Sequence, residues 1–266
     1  MSAARAEDDF FPGCQLRLAV TGKGGVGKTI LAALIGRRLT EQGQRVLLVD
    51  GDPAMGLAYL FGVDTNKTIG GFRDQLRRNP QLKREIETAS VKDLLVRESL
   101  IHLDERTGML IMGKDESDDC FCGVNNVLKY GIGSIAQDYQ ALILDCEAGL
   151  EQVKRRVLNT VNLLLVVSDM SARGTWTARQ IAGVLARKEA DVALPDRAGL
   201  VINRYQGDQD FLQRARQQSG LELWAAIPED GLVAELDLSG QKIGELRAEA
   251  PSYLGVQRML ERLGLT

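Results

Sequence analysis

Eight consecutive residues, Gly22-Lys23-Gly24-Gly25-Val26-Gly27-Lys28-Thr29, stand between an apolar run, Leu16–Val20, and a stretch with helical periodicity, Lys28–Gln42. Glycines let successive backbone N–H groups curl round an anion without side-chain clashes. The helix that follows presents its unpaired N–H groups and the positive end of its dipole to the same point. Lysine and a hydroxyl in the last two places complete the phosphate-loop spacing, in the strand-to-helix context that the motif requires. Gly24, Gly25, Val26 and Gly27 are expected to supply backbone donors. Lys28 reaches the β- and γ-phosphates of ATP, and the Thr29 hydroxyl binds Mg²⁺.

The rest of the chain alternates between apolar runs and helical stretches. The runs are Leu16–Val20, Val46–Val49, Met109–Met112, Ala141–Leu144, Leu163–Val167, Gly199–Ile202 and Leu223–Ile227. Several carry apolar residues at consecutive positions, as strands covered on both faces do. Helices are expected over Lys28–Gln42, Val124–Gln137, Thr175–Lys188 and Asp210–Ser219, with Gly43 as the residue that stops the first. The fold class is therefore α/β: a doubly wound, mostly parallel sheet with helices on both faces. An N-terminal extension, 1–14, precedes one domain, 15–266. The charged stretch 64–108 reads as a mainly helical insertion with no clear strand signal. The tail from Pro251 to Thr266 reads as a packed helix with Tyr253, Leu254, Met259, Leu260 and Leu263 inward; Arg258, Glu261 and Arg262 leave no basic face for a membrane.

Charge narrows the choice of partners. The 33 basic and 36 acidic residues give a net charge of −3, so no global field draws nucleic acid. Residues 1–13 contain Glu7, Asp8 and Asp9 and lack an apolar core, unlike a signal peptide. No run is long enough to span a bilayer. The expected setting is cytoplasmic, with reduced cysteines and with neither membrane nor nucleic acid as partner.

Lys23 is a second lysine inside the loop. It is poorly placed for its own site, which suggests a charge delivered across a dimer interface to a facing subunit's phosphates. In this the chain resembles the deviant-Walker ATPases, the group that contains MinD, ParA and the nitrogenase iron protein, where such a lysine acts in trans like an arginine finger. Asp50-Gly51-Asp52-Pro53 ends the second run, where ligands meet a parallel sheet. The resemblance implies that Asp52 orients or activates the attacking water and that Asp50 supports Mg²⁺ or the switch. It also implies that Asp145, which follows Ala141–Leu144, holds a Mg²⁺-bound water. Val201-Ile202-Asn203-Arg204 and Ile227-Pro228-Glu229-Asp230 resemble the segments around the base, with Asn203 contacting adenine and Pro228 closing over it. Any one of these polar residues could equally be a turn or cap residue.

Of the four cysteines, Cys120 and Cys122 are separated by one residue. Such a pair can face one soft metal ion but supplies only two ligands, whereas a structural Zn²⁺ site wants four. A homodimer would supply the others, and a helix starting near Gly123 would favour thiolate. Two incidental reduced thiols are the alternative. The wider segment, Cys120-x-Cys122-x-x-Asn125-x-x-Leu128-Lys129, is similar to the cysteine segment of the CooC family, the nickel-insertion ATPases that mature carbon monoxide dehydrogenase. Asp145-Cys146-Glu147-Ala148-Gly149-Leu150-Glu151 resembles that family's switch. Gln152 departs from the pattern, in which a histidine is expected. The resemblance implies an ATP-switched homodimer with a shared Zn²⁺ or Ni²⁺ site that serves a client metalloenzyme. A positioning ATPase on membrane or DNA, and a redox ATPase with a bridging iron–sulfur cluster, are the alternatives. Cys146 is read as buried filler, Cys14 as incidental, and His102, the single histidine, as lacking a partner motif.

Overall fold

Strands with apolar residues at every position must hide both faces, and the chain builds a layer of helices on each side to do so. The computed structural model describes residues 14–113, 131–147, 161–187 and 194–266. In β1 (Leu16–Gly22), Leu18 and Val20 enter one core and Ala19 another. In β2 (Val46–Asp50), Val46 and Leu48 face the first core, and Leu47 and Val49 face a third. The first core is closed by α1 (Lys28–Glu41), α2 (Gly56–Phe61), α8 (Gly231–Ser239) and α9 (Pro251–Leu263). On the opposite face, α3 (Ile69–Arg78), α4 (Pro80–Thr88) and α5 (Val91–Ser99) cover one half. There α6 (Ala172–Ala186) and α7 (Gln209–Ser219) cover the other.

The remaining strands are β3 (Ile101–His102), β4 (Thr107–Ile111), β5 (Ala141–Asp145), β6 (Leu163–Ser168), β7 (Arg197–Tyr205) and β8 (Glu222–Pro228). The described strands form one sheet in the order β3-β4-β2-β5-β1-β6-β7-β8. All neighbours are parallel except β3 and β4. This is the doubly wound α/β architecture expected from the alternation. The chain leaves β1 toward β2 on one side and later returns to β6 on the other, so β1 sits at the point where winding reverses. A crevice opens beyond the carboxyl ends of strands at such a point.

Each apolar run became a strand, usually longer than the run itself. The stretch 64–108 also contains β3, which had no strand signal. Two residues carry no periodicity, and the hairpin is set instead by Asp104, whose carboxylate accepts the Arg106 and Thr107 N–H groups at 2.7 and 2.9 Å. In α9, Tyr253, Val256, Met259, Leu260 and Leu263 are buried, whereas Leu254 is exposed. Leu254 falls on the outer side of the 3.6-residue period. The apolar face of this tail is spent on the core. Arg37 of α1 lies 4.8 Å over the Tyr253 ring of this tail and secures the segment before it, donating to the Ile243 and Leu246 carbonyls at 3.0 and 2.6 Å. Among the described residues, no helix is long and apolar enough to cross a membrane.

Candidate functional site

The loop 22–27 joins β1 to α1 at this reversal point. Gly22 has φ 145°, and a Cβ there would lie 2.1 Å from the Val167 carbonyl oxygen of β6. Gly27, at φ 88°, would place a Cβ 2.4 Å from the Asn203 side-chain nitrogen. Both positions therefore demand glycine. Gly24 and Gly25 are exposed at the loop tip, and Val26 is buried and anchors it. No side chain caps α1, and its first turn carries no acid. Its first N–H groups are thus available to an anion, with the dipole in favour. Lys28 is 7% exposed, and its ammonium donates to the Lys23 carbonyl at 3.2 Å.

Sheet register brings the acids together. Asp50 pairs with Asp145 across β2 and β5, and Val20 of β1 pairs with Asp145 from the other side. Asp50 is fully buried and spends its carboxylate on the turn that follows. It accepts the Asp52 N–H at 3.2 Å and the Ala58 N–H at 3.0 Å. It is a strut for the segment that carries Asp52, and burial nonetheless pushes its pKa up. Asp52 is half-buried and accepts the Ala54 N–H at 2.9 Å. Asp145 differs from both. It is fully buried, and among the described residues neither carboxylate oxygen has a hydrogen-bond partner. An uncompensated buried carboxylate is costly. Burial raises its pKa to about 7; the nearby Thr29 hydroxyl, without closing a hydrogen bond, works against this rise, Asp50 adds to it and Lys28 opposes it.

That shift has a direction in pH. A carboxylate whose folded pKa lies above the ordinary 3.8 stabilises the fold most at low pH, and the contribution is lost as pH rises to about 7. In the nucleotide-free protein with chelator present, Asp145→Asn is expected to melt higher than the parent. The gap should widen from about pH 4 to about pH 7 and reach on the order of a few kcal/mol. Thermal melts of the two proteins across this range measure it, and a gap that narrows with rising pH would contradict the assignment.

Lys23 points away from its own loop. Its ammonium lies 3.0 Å from Asp169 Oδ2 and 3.3 Å from Ser171 Oγ, just beyond β6. Sequence reading did not single out Asp169. The available signal was an acid ending an apolar strand, the same that marked Asp50 and Asp145.

On the other side of α1 runs a cleft of about 700 Å³, lined by Gly27 and Thr29 at one end and by Ile30, Asn203, Pro228 and Val233 along it. Asn203 is buried, and its amide nitrogen donates to the Val26 carbonyl at 2.8 Å. Its second amide hydrogen and its carbonyl oxygen remain for a ligand. Arg204, the next residue, holds φ 56° where the β7–β8 register shifts. A separate depression of about 460 Å³ lies at the opposite, amino-terminal edge of the sheet, lined by Gln15, Gln140, Asn162 and Arg197, far from the loop.

The structure thus brings Lys28, Thr29, Asp50, Asp52 and Asp145 to one end of the sheet, with Asn203 and Pro228 beside them. Cys120, Cys122 and Gln152 lie outside the described residues. Among the described residues, no group of three or more His, Cys, Asp or Glu side chains could hold a metal ion. Cys14 and Cys146 are both buried; the Cys14 thiol donates to the Leu16 carbonyl at 3.3 Å, and burial pushes Cys146 up to about 12, the profile of an inert filler. His102 is exposed on β3.

Comparison with known proteins agrees with this geometry. The CbiA family, described as the CobQ/CobB/MinD/ParA nucleotide binding domain, matches residues 18–243. An uncharacterized ATP-binding protein of Methanocaldococcus jannaschii is 32% identical over 92% of this chain and 97% of its own length. The carbon monoxide dehydrogenase accessory protein CooC of Rhodospirillum rubrum is 28% identical over 93% of this chain and 100% of its own. The crystal structure of a ParA family ATPase from Chlorobium tepidum superposes with a TM-score of 0.71 at 20% identity, over 96% of this chain and 100% of that one. With a phosphate loop at the winding reversal and a family match across most of its length, the chain belongs to the CobQ/CobB/MinD/ParA nucleotide-binding family and is a deviant-Walker P-loop ATPase.

Proposed function

We propose that this ATPase is a metallochaperone that acts as a homodimer and uses ATP to drive nickel insertion into a client metalloenzyme, carbon monoxide dehydrogenase. The likeness to CooC along the full length of that protein supports this reading most directly. The Cys120-x-Cys122 segment adds the chemistry a soft metal cargo needs.

In this reading the phosphates of ATP rest on the N–H groups of Gly24 to Lys28 and on the Lys28 ammonium. Mg²⁺ fits the donors present: it prefers one or two protein groups together with phosphate and water, and Asp145 offers a buried carboxylate beside the Thr29 hydroxyl that has no hydrogen-bond partner among the described residues. When bound, Mg²⁺ neutralises charge on the phosphates. Asp52 orients the attacking water, and Asp50 holds the turn from which Asp52 projects. Asn203 offers a base its carbonyl oxygen and a second amide hydrogen, an acceptor–donor pair that suits the 6-amino group and ring nitrogen of adenine. Pro228 closes the other side of the base. Lys23 is delivered to the facing subunit.

Two thiols per chain against four preferred ligands imply one metal ion per two chains. Added Zn²⁺ or Ni²⁺ should therefore promote dimerisation even without nucleotide. Replacing Cys120 and Cys122 together by serine should abolish that effect while leaving ATP affinity close to the parent, because a hydroxyl remains protonated where a thiol ionises. Elemental analysis alongside light scattering decides the matter. A ratio of one metal per chain, or metal-linked dimers that persist in the double variant, rejects the shared site. Family membership alone would then favour a positioning ATPase of the MinD or ParA kind.

A further inference from the structure

We propose that Asp169 is a positioning residue for Lys23. With Ser171 it holds the second loop lysine inside its own subunit until nucleotide draws Lys28 away from the Lys23 carbonyl. The proposal rests on the reading of Lys23 as a charge that crosses to a facing subunit.

The acceptor pair is built into the end of β6. Asp169 Oδ1 accepts the Ser171 N–H at 3.1 Å and also bonds the Ser171 hydroxyl. Ser171 in turn caps α6 by accepting the Gly174 N–H at 3.0 Å. A Cβ on Gly174 would fall 2.4 Å from Asp169 Oδ1 and 2.5 Å from Ser168 Oγ, so glycine lets the helix begin this close to the carboxylate. The other oxygen, Oδ2, faces the Lys23 ammonium at 3.0 Å, with Ser171 Oγ at 3.3 Å. Side-chain exposures of 29% for Lys23 and 22% for Asp169 make this a contact that water can reach and that can open.

The link to nucleotide is Lys28. Its ammonium, the charge best placed for the β- and γ-phosphates, donates at 3.2 Å to the carbonyl of Lys23 itself. A phosphate oxygen carries charge and accepts more strongly than a neutral carbonyl. Binding of ATP thus takes Lys28 from the peptide that carries Lys23 and loosens the backbone on which the latched side chain is mounted. The residue that fills the site also unlocks the residue that must leave it, so the protein stays monomeric until its phosphates are in place.

A partly exposed ion pair of this kind holds by a factor of roughly 1.4 to 5. Two are broken per dimer, so the effect is squared. With a non-hydrolysable ATP analogue, Asp169→Asn should lower the dimer dissociation constant by roughly 2- to 30-fold in sedimentation. The protein concentration giving half-maximal ATPase should fall with it. Asparagine retains an oxygen for the Ser171 N–H, which protects the cap. Combined with Lys23→Ala, the substitution should have no further effect, since nothing is left to release. A merely structural Asp169 would instead shift both backgrounds alike. A second measurement needs no variant: amine-reactive footprinting of Lys23 in the monomer should rise when the analogue is added below the dimerising concentration. If Asp169→Asn changes the dissociation constant by less than twofold or weakens the dimer, or if Lys23 reactivity does not rise, the latch is wrong. If instead Lys23→Ala dimerises like the parent, the trans reading of Lys23 fails first and the latch falls with it.

Discussion

Lys23→Ala is expected to lower ATP turnover by about 10³-fold or more, the scale of a cation supplied to the transferring phosphoryl group from outside the subunit. The reason is positional. In the single chain the Lys23 ammonium is turned toward Asp169 and Ser171 and contributes nothing to its own loop. Its removal should therefore leave nucleotide affinity of the monomer within about twofold, the small range of a surface charge. The split between binding and turnover is the diagnostic. Fluorescent-nucleotide titration at low protein concentration measures the first, and phosphate release at high concentration the second. A variant that turns over within tenfold of the parent would leave no room for a trans cation.

The second large effect is expected at Asp52. Asp52→Ala should lower turnover by about 10²- to 10⁴-fold, the contribution of a group that positions or deprotonates the attacking water. ATP affinity should stay near the parent, because the phosphate donors lie in the loop and not in this turn. Alanine also removes the acceptor for the Ala54 N–H, so a loss by itself could be structural. Asp52→Asn separates the two: it keeps an oxygen for Ala54 and discards the charge. If the asparagine variant turns over like the parent, Asp52 is a turn residue. If it is as slow as the alanine variant, the carboxylate acts on water.

Asp50, Asp52 and Asp145 also mark how far a linear reading reaches. All end apolar runs, so all could be named as candidates from position in sequence. Their division of labour could not. It depends on the Asp50↔Asp145 register across β2 and β5 and on which N–H groups the next turn happens to present. Asp50 meets such donors and becomes a strut. Asp145 has no such donor among the described residues, and burial raises its pKa to about 7.

By itself the sequence determined the strands, most of the described helices that cover them and the phosphate loop, because each rests on local rules. Consecutive apolar residues from Leu16 or Val46 call for a strand buried on both sides, and Gly22 to Thr29 encode a backbone shape that few other residues could adopt. The short strand β3 escaped because two residues hold no period, and Leu254 was misplaced because the register of α9 on the core is a packing outcome. Only the tertiary structure decided where Lys23 rests. Asp169 is 146 positions away, and the two meet because β1 and β6 lie side by side, with Gly22 opposite Val167. Only it decided, too, that Asn203 braces the loop at Val26 before it can meet a base. Side-chain partners across strands follow from sheet order, and sheet order is set by the burial of the whole apolar set at once, which no local stretch of residues contains.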